Sequence, residues 1–489
     1  MSAAGSADIV RVSEGRRLPR LAVPIALVIV AVTAAAFAVQ AEKAGSAPRA
    51  IGARSPVTPV LSARRVPDII AAPVADRRLV AKLIDLASRT PGASCLTVHA
   101  GGREVFASNP TLPLSPASVE KLVTAQAALA LLGPDTTLHT SVRASGAVNG
   151  GVVEGNLALV GGGDPLLMTD AYAQSFRHVP TERTSVESLA DRIVTAGVRE
   201  VRGSVVGDDS RYDNVHYLSV WPSRFVTAAD IGPMTALLVD DGFEVFPPSP
   251  DLRLPKTTAA ADPAALAASR LQAALVARGV TVAAPAASGR APDGAKEIAS
   301  IDSAPIKAIV AEMLRESDNE AAELLTKEIG LQKGGAGTTE AGIAAITEQL
   351  RASGLPVDGT TQVDGSGLAT QDQKTCALIQ AILDKETPSS PIVSGLPVAG
   401  QTGTLEKRFL DNPAAGRLRA KTGSLNQVTA LAGFIDTIPG ATLSFTYMIN
   451  LTAPTKVTTD DVNLEEQLGS ILVTYPEGPD LAALGPVPP

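Results

Sequence analysis

The two ends of the chain carry complementary halves of one pattern. Residues 76–107 read helix, strand, strand. DRRLVAKLIDLAS (76–88) places Leu79, Leu83 and Leu86 on one side at helical spacing, and SCLTVHA (94–100) and REVFA (103–107) are short strands around a Gly101-Gly102 turn. The other end reads strand, strand, helix. KTGSLNQVTALAGFIDT (421–437) and ATLSFTYMIN (441–450) are strand-like runs joined around Pro439-Gly440 as a hairpin, and an amphipathic helix follows from about 460 to 474. Such a chain can close one antiparallel sheet from both ends, with the terminal helices packed on one face. The expected class is therefore α+β.

Between these ends the texture changes twice. From about 137 to 302 the chain is β-rich, with stretches such as LHTSVRAS, VVEGNLALVGGGDPLL and VREVRGSVVGDDSRYD and one clear helix, PAALAASRLQAALVARG (263–279). Helical spacing returns in APIKAIVAEMLRE (304–316), SDNEAAELLTKEIG and TEAGIAAITEQLRASG. Residues 76–136 with 303–475 are thus expected to form the main domain, 137–302 an insertion, and 476–489 a Pro-rich tail. No internal repeat is visible.

The N-terminus adds a topological constraint. LAVPIALVIVAVTAAAFAV (21–39) carries no charge over a bilayer-spanning length, and Arg16, Arg17 and Arg20 precede it. Residues 1–20 are then a cytoplasmic tail and 21–40 an anchor, or an export signal cut at small residues such as Ala36-Phe37-Ala38. Everything after residue 40 lies outside, beginning with an Ala/Pro/Arg-rich tether over 41–75. In that oxidising setting Cys95 and Cys376, the only cysteines, either pair across the fold or remain two buried thiols.

Composition removes several classes of function. With 45% hydrophobic and 19% charged residues the chain of 489 residues has ample core. A formal net charge of -8 argues against nucleic acid as a partner. His99, His139, His178 and His216 stand singly, without cysteine or carboxylate neighbours at metal-ligand spacing, so they are expected to be surface or hydrogen-bonded residues and no metal or cofactor is implied.

The stretch SPASVEKLVTAQAALALLG (115–133) reads as a helix with Ser115 as N-cap and Pro116 as first helical residue, running from 116 to about 132. Ser118 then falls in the first turn, where its NH has no intrahelical partner and the helix dipole favours a developing oxyanion. Lys121 follows at i+3 on the same face. To serve as a base at neutral pH it must lose about three units from about 10.4, roughly 4 kcal/mol, which burial and a second nearby cation can supply. Alone, Ser-x-x-Lys is a weak signal, and a capped helix with a surface lysine is the better reading.

Two further elements change the balance. Ser317-Asp318-Asn319 begins a helical run, and Lys421-Thr422-Gly423 begins the strand of the late hairpin. Ser-x-x-Lys, Ser-Asp-Asn and Lys-Thr-Gly in this order form the signature of penicillin-binding proteins and class A β-lactamases. In that arrangement Lys421 is the second cation and attracts a substrate carboxylate, which Thr422 hydrogen-bonds. Ser317 passes a proton to the leaving amine, and Asn319 orients Lys121 and a substrate amide. Beyond the trio, LVGGGDPLL, VRGSVVGDDSRYD, RESDNEAAELL, VDGSGLA, LPVAGQTGTLEKRF and AAGRLRAKTGSLNQVTALAGF resemble segments of the penicillin-binding-protein-4 type of D-alanyl-D-alanine carboxypeptidase/endopeptidase. The resemblance touches most of residues 76–450. It implies a transpeptidase/β-lactamase-like domain, an antiparallel sheet with helices on both faces, interrupted by a large insertion between Lys121 and Ser317. It also implies an acyl-enzyme on Ser118, an oxyanion hole from the NH groups of Ser118 and Ser424, peptidoglycan stem peptides as substrates and β-lactams as acylating inhibitors.

Departures from the pattern are the anchor, the tether and Asp318 inside the second motif. The deacylating Glu-x-x-x-Asn loop of a class A β-lactamase is not present in the sequence, because Asn412 has no glutamate four residues before it. Slow release of penicillin is expected. The alternatives are a non-catalytic muropeptide-binding envelope protein, which needs neither Ser118 nor Lys121, and an esterase or β-lactamase-like hydrolase, which needs no Lys421-Thr422 for a terminal carboxylate.

Overall fold

A computed structural model of the protein describes residues 67–478 apart from Arg253, with isolated residues between 29 and 36. Most of the expected anchor, tether and tail lies outside the described residues. Among the described residues no helix is long and apolar enough to cross a membrane.

In chain order, helix α1 (Pro67–Arg89) leads into strands β1 (Ala93–Ala100) and β2 (Arg103–Ser108), and then into helix α2 (Lys121–Leu131). The expected tether is helical over its last residues: α1 begins at Pro67 rather than Asp76, because Ala75 is buried beside Leu79 and packing carries the helix past Pro73. The inserted segment holds β3 (His139–Ala144), β4 (Leu157–Val160), α3 (Val186–Thr195), β5 (Val205–Asp208), α4 (Pro263–Val276), β6 (Ala287–Ser288) and β7 (Lys296–Asp302). There follow α5 (Ile306–Glu316), α6 (Asn319–Ile329), α7 (Thr339–Ala352), α8 (Cys376–Leu383), β8 (Leu418–Leu425), β9 (Val428–Asp436), β10 (Thr442–Asn450) and α9 (Thr459–Leu472).

The main sheet has the order β8-β9-β10-β1-β2, antiparallel throughout, so the two ends of the chain close it as expected. The late strands number one more than expected. The run 421–437 belongs to two strands, β8 and β9, which turn between Leu425 and Val428, before the second turn at Pro439-Gly440.

Alternation along the strands divides the core into two layers. Leu96 and Val98 of β1, Leu431 and Ile435 of β9, and Phe445, Tyr447 and Ile449 of β10 face α1 and α9, meeting Leu79, Leu83, Leu86, Leu464 and Leu468. Cys95, Ala430, Ala432 and Met448 point the other way, toward α2, α5, α6 and α8. On that face α8 lies against β1, β9 and β10, and α2, packed among α5, α6, α7 and α8, is itself apolar nearly all round, as a helix buried among other helices must be. Cys95 and Cys376 are bonded, with Cα atoms 6.0 Å apart, tying β1 to the start of α8 beneath this layer.

The inserted segment enters and leaves through a pair of antiparallel strands, β3 and β7, with His139 opposite Asp302. A second mixed sheet of order β6-β5-β4-β3-β7 builds outward from them, covered by α3 and α4 through Leu189, Ile193, Leu271 and Leu275. His139 pairs with Asp302 at 2.7 Å, His99 with Asp384 at 2.6 Å and His178 with Glu406 at 3.2 Å, the hydrogen-bonded roles expected of them.

Candidate active site

The turn that carries Ser118 is built differently from a capped helix. Residues Ala117–Glu120 form one turn of 3-10 helix that runs into α2 at Lys121. Ser115 is not the N-cap: its hydroxyl is buried without a partner, while its NH and carbonyl are both taken by the side chain of Asn450 at the end of β10, at 2.7 and 2.9 Å. A tertiary anchor has displaced the local one. Ala117 is forced to a left-handed φ of 46°, unusual for a residue with a Cβ and a form of strain that the surroundings must hold. Two glycines supply the space. A Cβ on Gly367 would lie 1.9 Å from the Ala117 carbonyl oxygen, and one on Gly423 would lie 2.5 Å from that of Pro116, so β8 and the loop at 364–369 both press directly on this turn.

Lys121 is wholly buried and its Nζ lies 3.2 Å from Ser118 Oγ, 2.7 Å from Asn319 Oδ1 and 2.8 Å from the carbonyl oxygen of Ser366. Burial pulls its pKa down to about 8, while the charges of Asp364, Glu323, Asp318 and Glu320 push it back up. The second cation, Lys421, is itself shifted. Burial first, and then the charge of Lys121, hold Lys421 well below the ordinary lysine range. Repulsion between two ammonium groups is mutual, so each makes the other easier to deprotonate.

The second and third motifs meet here. Ser317 is the left-handed residue that ends α5, and Asp318 caps α6 by accepting from the Ala321 NH at 2.8 Å, which accounts for an aspartate inside this motif. Lys421 Nζ donates to Ser317 Oγ at 2.8 Å and to the Thr422 carbonyl at 2.9 Å. Lys421 does not begin its strand; β8 starts at Leu418. Thr422 Oγ1 lies 2.8 Å from Thr404 Oγ1, Gly423 is buried against the Ser118 turn, and Ser424 is exposed at the rim. Hydrogen bonds thus link Ser118, Lys121 and Asn319 in one group and Ser317, Lys421 and Thr422 in another, and the two groups meet at the Ser317–Asn319 turn between α5 and α6.

Four contributors went unrecognised in the sequence. Ser366 acts through a backbone carbonyl. Asp364 holds the loop around it, accepting from the NH groups of Gly367 and Ala369 at 2.7 Å each and from the indole Nε1 of Trp221 at 2.8 Å. Glu323 accepts from the NH groups of Gly365 and Ser366 at 3.0 and 2.8 Å. The fourth, Thr404, follows Gln401-Thr402-Gly403, a segment that merely imitates the third motif but whose neighbour reaches the site. The available signal was their place inside the resembling segments VDGSGLA, LPVAGQTGTLEKRF and, for Glu323, RESDNEAAELL.

The family model of the D-Ala-D-Ala carboxypeptidase 3 (S13) family matches residues 92–250 and 247–468. The chain belongs to the S13 D-Ala-D-Ala carboxypeptidase family. Among S13 relatives, Carboxypeptidase DacB of Mycolicibacterium smegmatis is 32% identical over 92% of this chain and 97% of its own length. The D-alanyl-D-alanine carboxypeptidase of Actinomadura sp. is 28% identical, covering 72% of this chain and 76% of the relative. The S13 fold is shared with penicillin binding protein 4 (dacB) from Haemophilus influenzae, whose crystal structure superposes with a TM-score of 0.66 at 20% identity over 80% of this chain and 99% of that one. A structure of the same Haemophilus protein complexed with a β-lactam gives a TM-score of 0.60. The penicillin-binding-protein-4 resemblance and the α+β, β-lactamase-like class expected from the sequence both hold.

Proposed function

We propose that Ser118 is the nucleophile of this D-Ala-D-Ala carboxypeptidase and Lys121 its general base. The observation that carries the reading is the buried Lys121 amine, at about 8, in hydrogen-bond contact with Ser118 Oγ and Asn319 Oδ1. Ser118 Oγ attacks the carbonyl carbon of the penultimate D-alanine of a peptidoglycan stem peptide, and its proton passes to Lys121 Nζ. The oxyanion is received by the NH groups of Ser118 and Ser424. The amine of the terminal D-alanine leaves with a proton delivered through Ser317, which Lys421 contacts. The terminal carboxylate is met by Lys421 and Thr422, and its negative charge favours the protonated form of Lys421. Asn319 orients Lys121 and the substrate amide. Gly423 keeps β8 close enough to the nucleophile turn for both walls to reach one substrate. Water then releases the acyl group. A β-lactam enters the same path, but its leaving group stays tethered after the ring opens, and the sequence lacks the glutamate that clears such adducts in class A β-lactamases.

The enzyme works in the cell envelope. We infer that residues 76–136 and 303–475 form its catalytic domain and 137–302 an insertion, supported by the pairing of β3 with β7. We further infer that the charge-free run at 21–39, behind Arg16, Arg17 and Arg20, exports the chain and holds it at the membrane; the Cys95–Cys376 bond agrees with an oxidising compartment.

The test is incubation with a fluorescent penicillin followed by peptide mapping, alongside an assay for D-alanine released from a stem pentapeptide. Label on the peptide containing Ser118, lost in Ser118→Ala together with D-alanine release, is the expected result. Label on another residue, or unimpaired release by Ser118→Ala, would end the assignment.

A further inference from the structure

The inserted segment reaches into the catalytic cluster at two points, and both bear on Lys121. A neutral amine has two N–H bonds and one lone pair, and it is a base toward Ser118 only if the lone pair faces Ser118 Oγ. The Oδ1 of Asn319 and the carbonyl of Ser366 can only accept. At 2.7 and 2.8 Å they take the two N–H bonds, which leaves the lone pair for the longer contact of 3.2 Å to Ser118 Oγ. If either acceptor is lost, rotation about the terminal C–N bond can turn an N–H toward Ser118, and the amine becomes a donor there.

Each acceptor is held from the insertion. Asn319 presents its oxygen to Lys121 because its Nδ2 donates to the backbone carbonyl of Asp230 at 2.6 Å; an amide flipped the other way would set two donors against Lys121 and two acceptors against each other. Two residues further on, the Gly232 NH donates to Glu320 Oε1 at 2.5 Å, pinning the same stretch to the first turn of α6. The Ser366 carbonyl sits on the loop organised by Asp364, and Trp221, nearly buried at 7% exposure, donates its indole N–H to Asp364 while packing beside Leu324, Leu368 and Ala369.

We propose that residues 221–232 of the insertion are a positioning strap that aims the lone pair of Lys121, with Trp221 and the Asp230 carbonyl as its two points of action. This rests on Lys121 being the base. The strap touches no substrate; it acts through Asn319 and through the loop of Ser366. It also explains how a segment far from the three motifs in sequence belongs to the catalytic apparatus.

Trp221 is the chain's single tryptophan, so biosynthetic replacement of tryptophan by 3-benzothienylalanine removes one N–H and keeps the ring shape. The groups facing Lys121 are Asp364, Glu323, Asp318 and Glu320, which raise its pKa, and Lys421. The isostere changes none of these charges. Its acylation rate with penicillin is expected to fall about tenfold, part of the span a general base commands, with the midpoint of the pH profile unmoved and the melting temperature kept. Asp364→Asn replaces one of the two accepting oxygens by a donor and removes one charge that holds Lys121 up, so its rate falls and its midpoint moves to lower pH. An isosteric protein that acylates within about twofold of the parent at every pH would overturn the strap, as would Asp364→Asn with an unmoved midpoint. Should the isostere destabilise the protein, Trp221→Phe assayed below its own melting temperature gives the same comparison. Labelling of Ser118 in the parent protein decides the catalytic assignment separately, since it does not depend on the strap.

Discussion

At the scale of single residues, Lys121 as the proposed base sets the terms on which the enzyme can work. An amine held at about 8 is about one-tenth neutral at pH 7, enough for a base but far from saturation. Because the folded value lies below the ordinary lysine range, the active form grows as pH rises. Acylation by a chromogenic cephalosporin should therefore climb about tenfold per pH unit below pH 8 and level off above it. A profile flat between about pH 6 and 9 in stopped-flow measurement would mean that another group takes the Ser118 proton. The side chains of this apparatus were legible in the sequence because each motif pairs a reactive residue with a recognisable local context. The carbonyls of Ser366 and Asp230 were not, since every residue has a carbonyl and only the fold decides where it points.

At the scale of elements, the sequence was read well where a pattern repeats and poorly where one distant residue overrides it. The alternation in β1 and the spacing of Leu79, Leu83 and Leu86 each express a whole buried face. By contrast, Ser115-Pro116 has every local mark of a helix start, yet the Asn450 side chain claims both backbone groups of Ser115 and the helix begins as a strained 3-10 turn. The turn between Leu425 and Val428 escaped notice because it contains neither glycine nor proline. The cysteine pair could be decided only by geometry: β1 and α8 lie on the same layer of the core, and their buried sulfurs bond. The bond closes a loop of 281 residues, so losing it should free a large unfolded-state entropy. Replacing both cysteines by alanine is expected to cost about 2–5 kcal/mol in urea unfolding, while leaving penicillin acylation of the folded protein unchanged. A double variant as stable as the parent would show the bond to be absent or strained in solution.

At the scale of the whole molecule, the notable feature is how many acids the fold buries around the junction of catalytic core and insertion. The change of texture over 137–302 suggested an insertion, but nothing in the sequence showed that these acids would be shut away together, because contacts such as Tyr172 with Asp241 and Gly232 with Glu320 join parts far apart in the chain. Burial raises Glu120 to about 7, Glu323 and Asp241 to about 8 and Asp372 to about 11, against roughly 4 in the unfolded chain. Over the interval between those values the native state keeps protons that the unfolded state has released. Stability must then fall as pH rises, from near 4 through about 8. Lys121 works in the opposite direction between about 8 and 10, where the unfolded chain still binds its proton and the native state does not, and Lys421, also held below the ordinary lysine range, works in the same sense as Lys121 against the larger number of buried acids. The melting temperature should drop by several degrees from about pH 5 to about pH 8, over the same range in which acylation accelerates. Activity and stability are thereby set against each other by groups packed around one site. Differential scanning calorimetry across that range, read beside the acylation rates, checks the opposition; a melting temperature constant or rising with pH would show that these acids ionise freely in the native state.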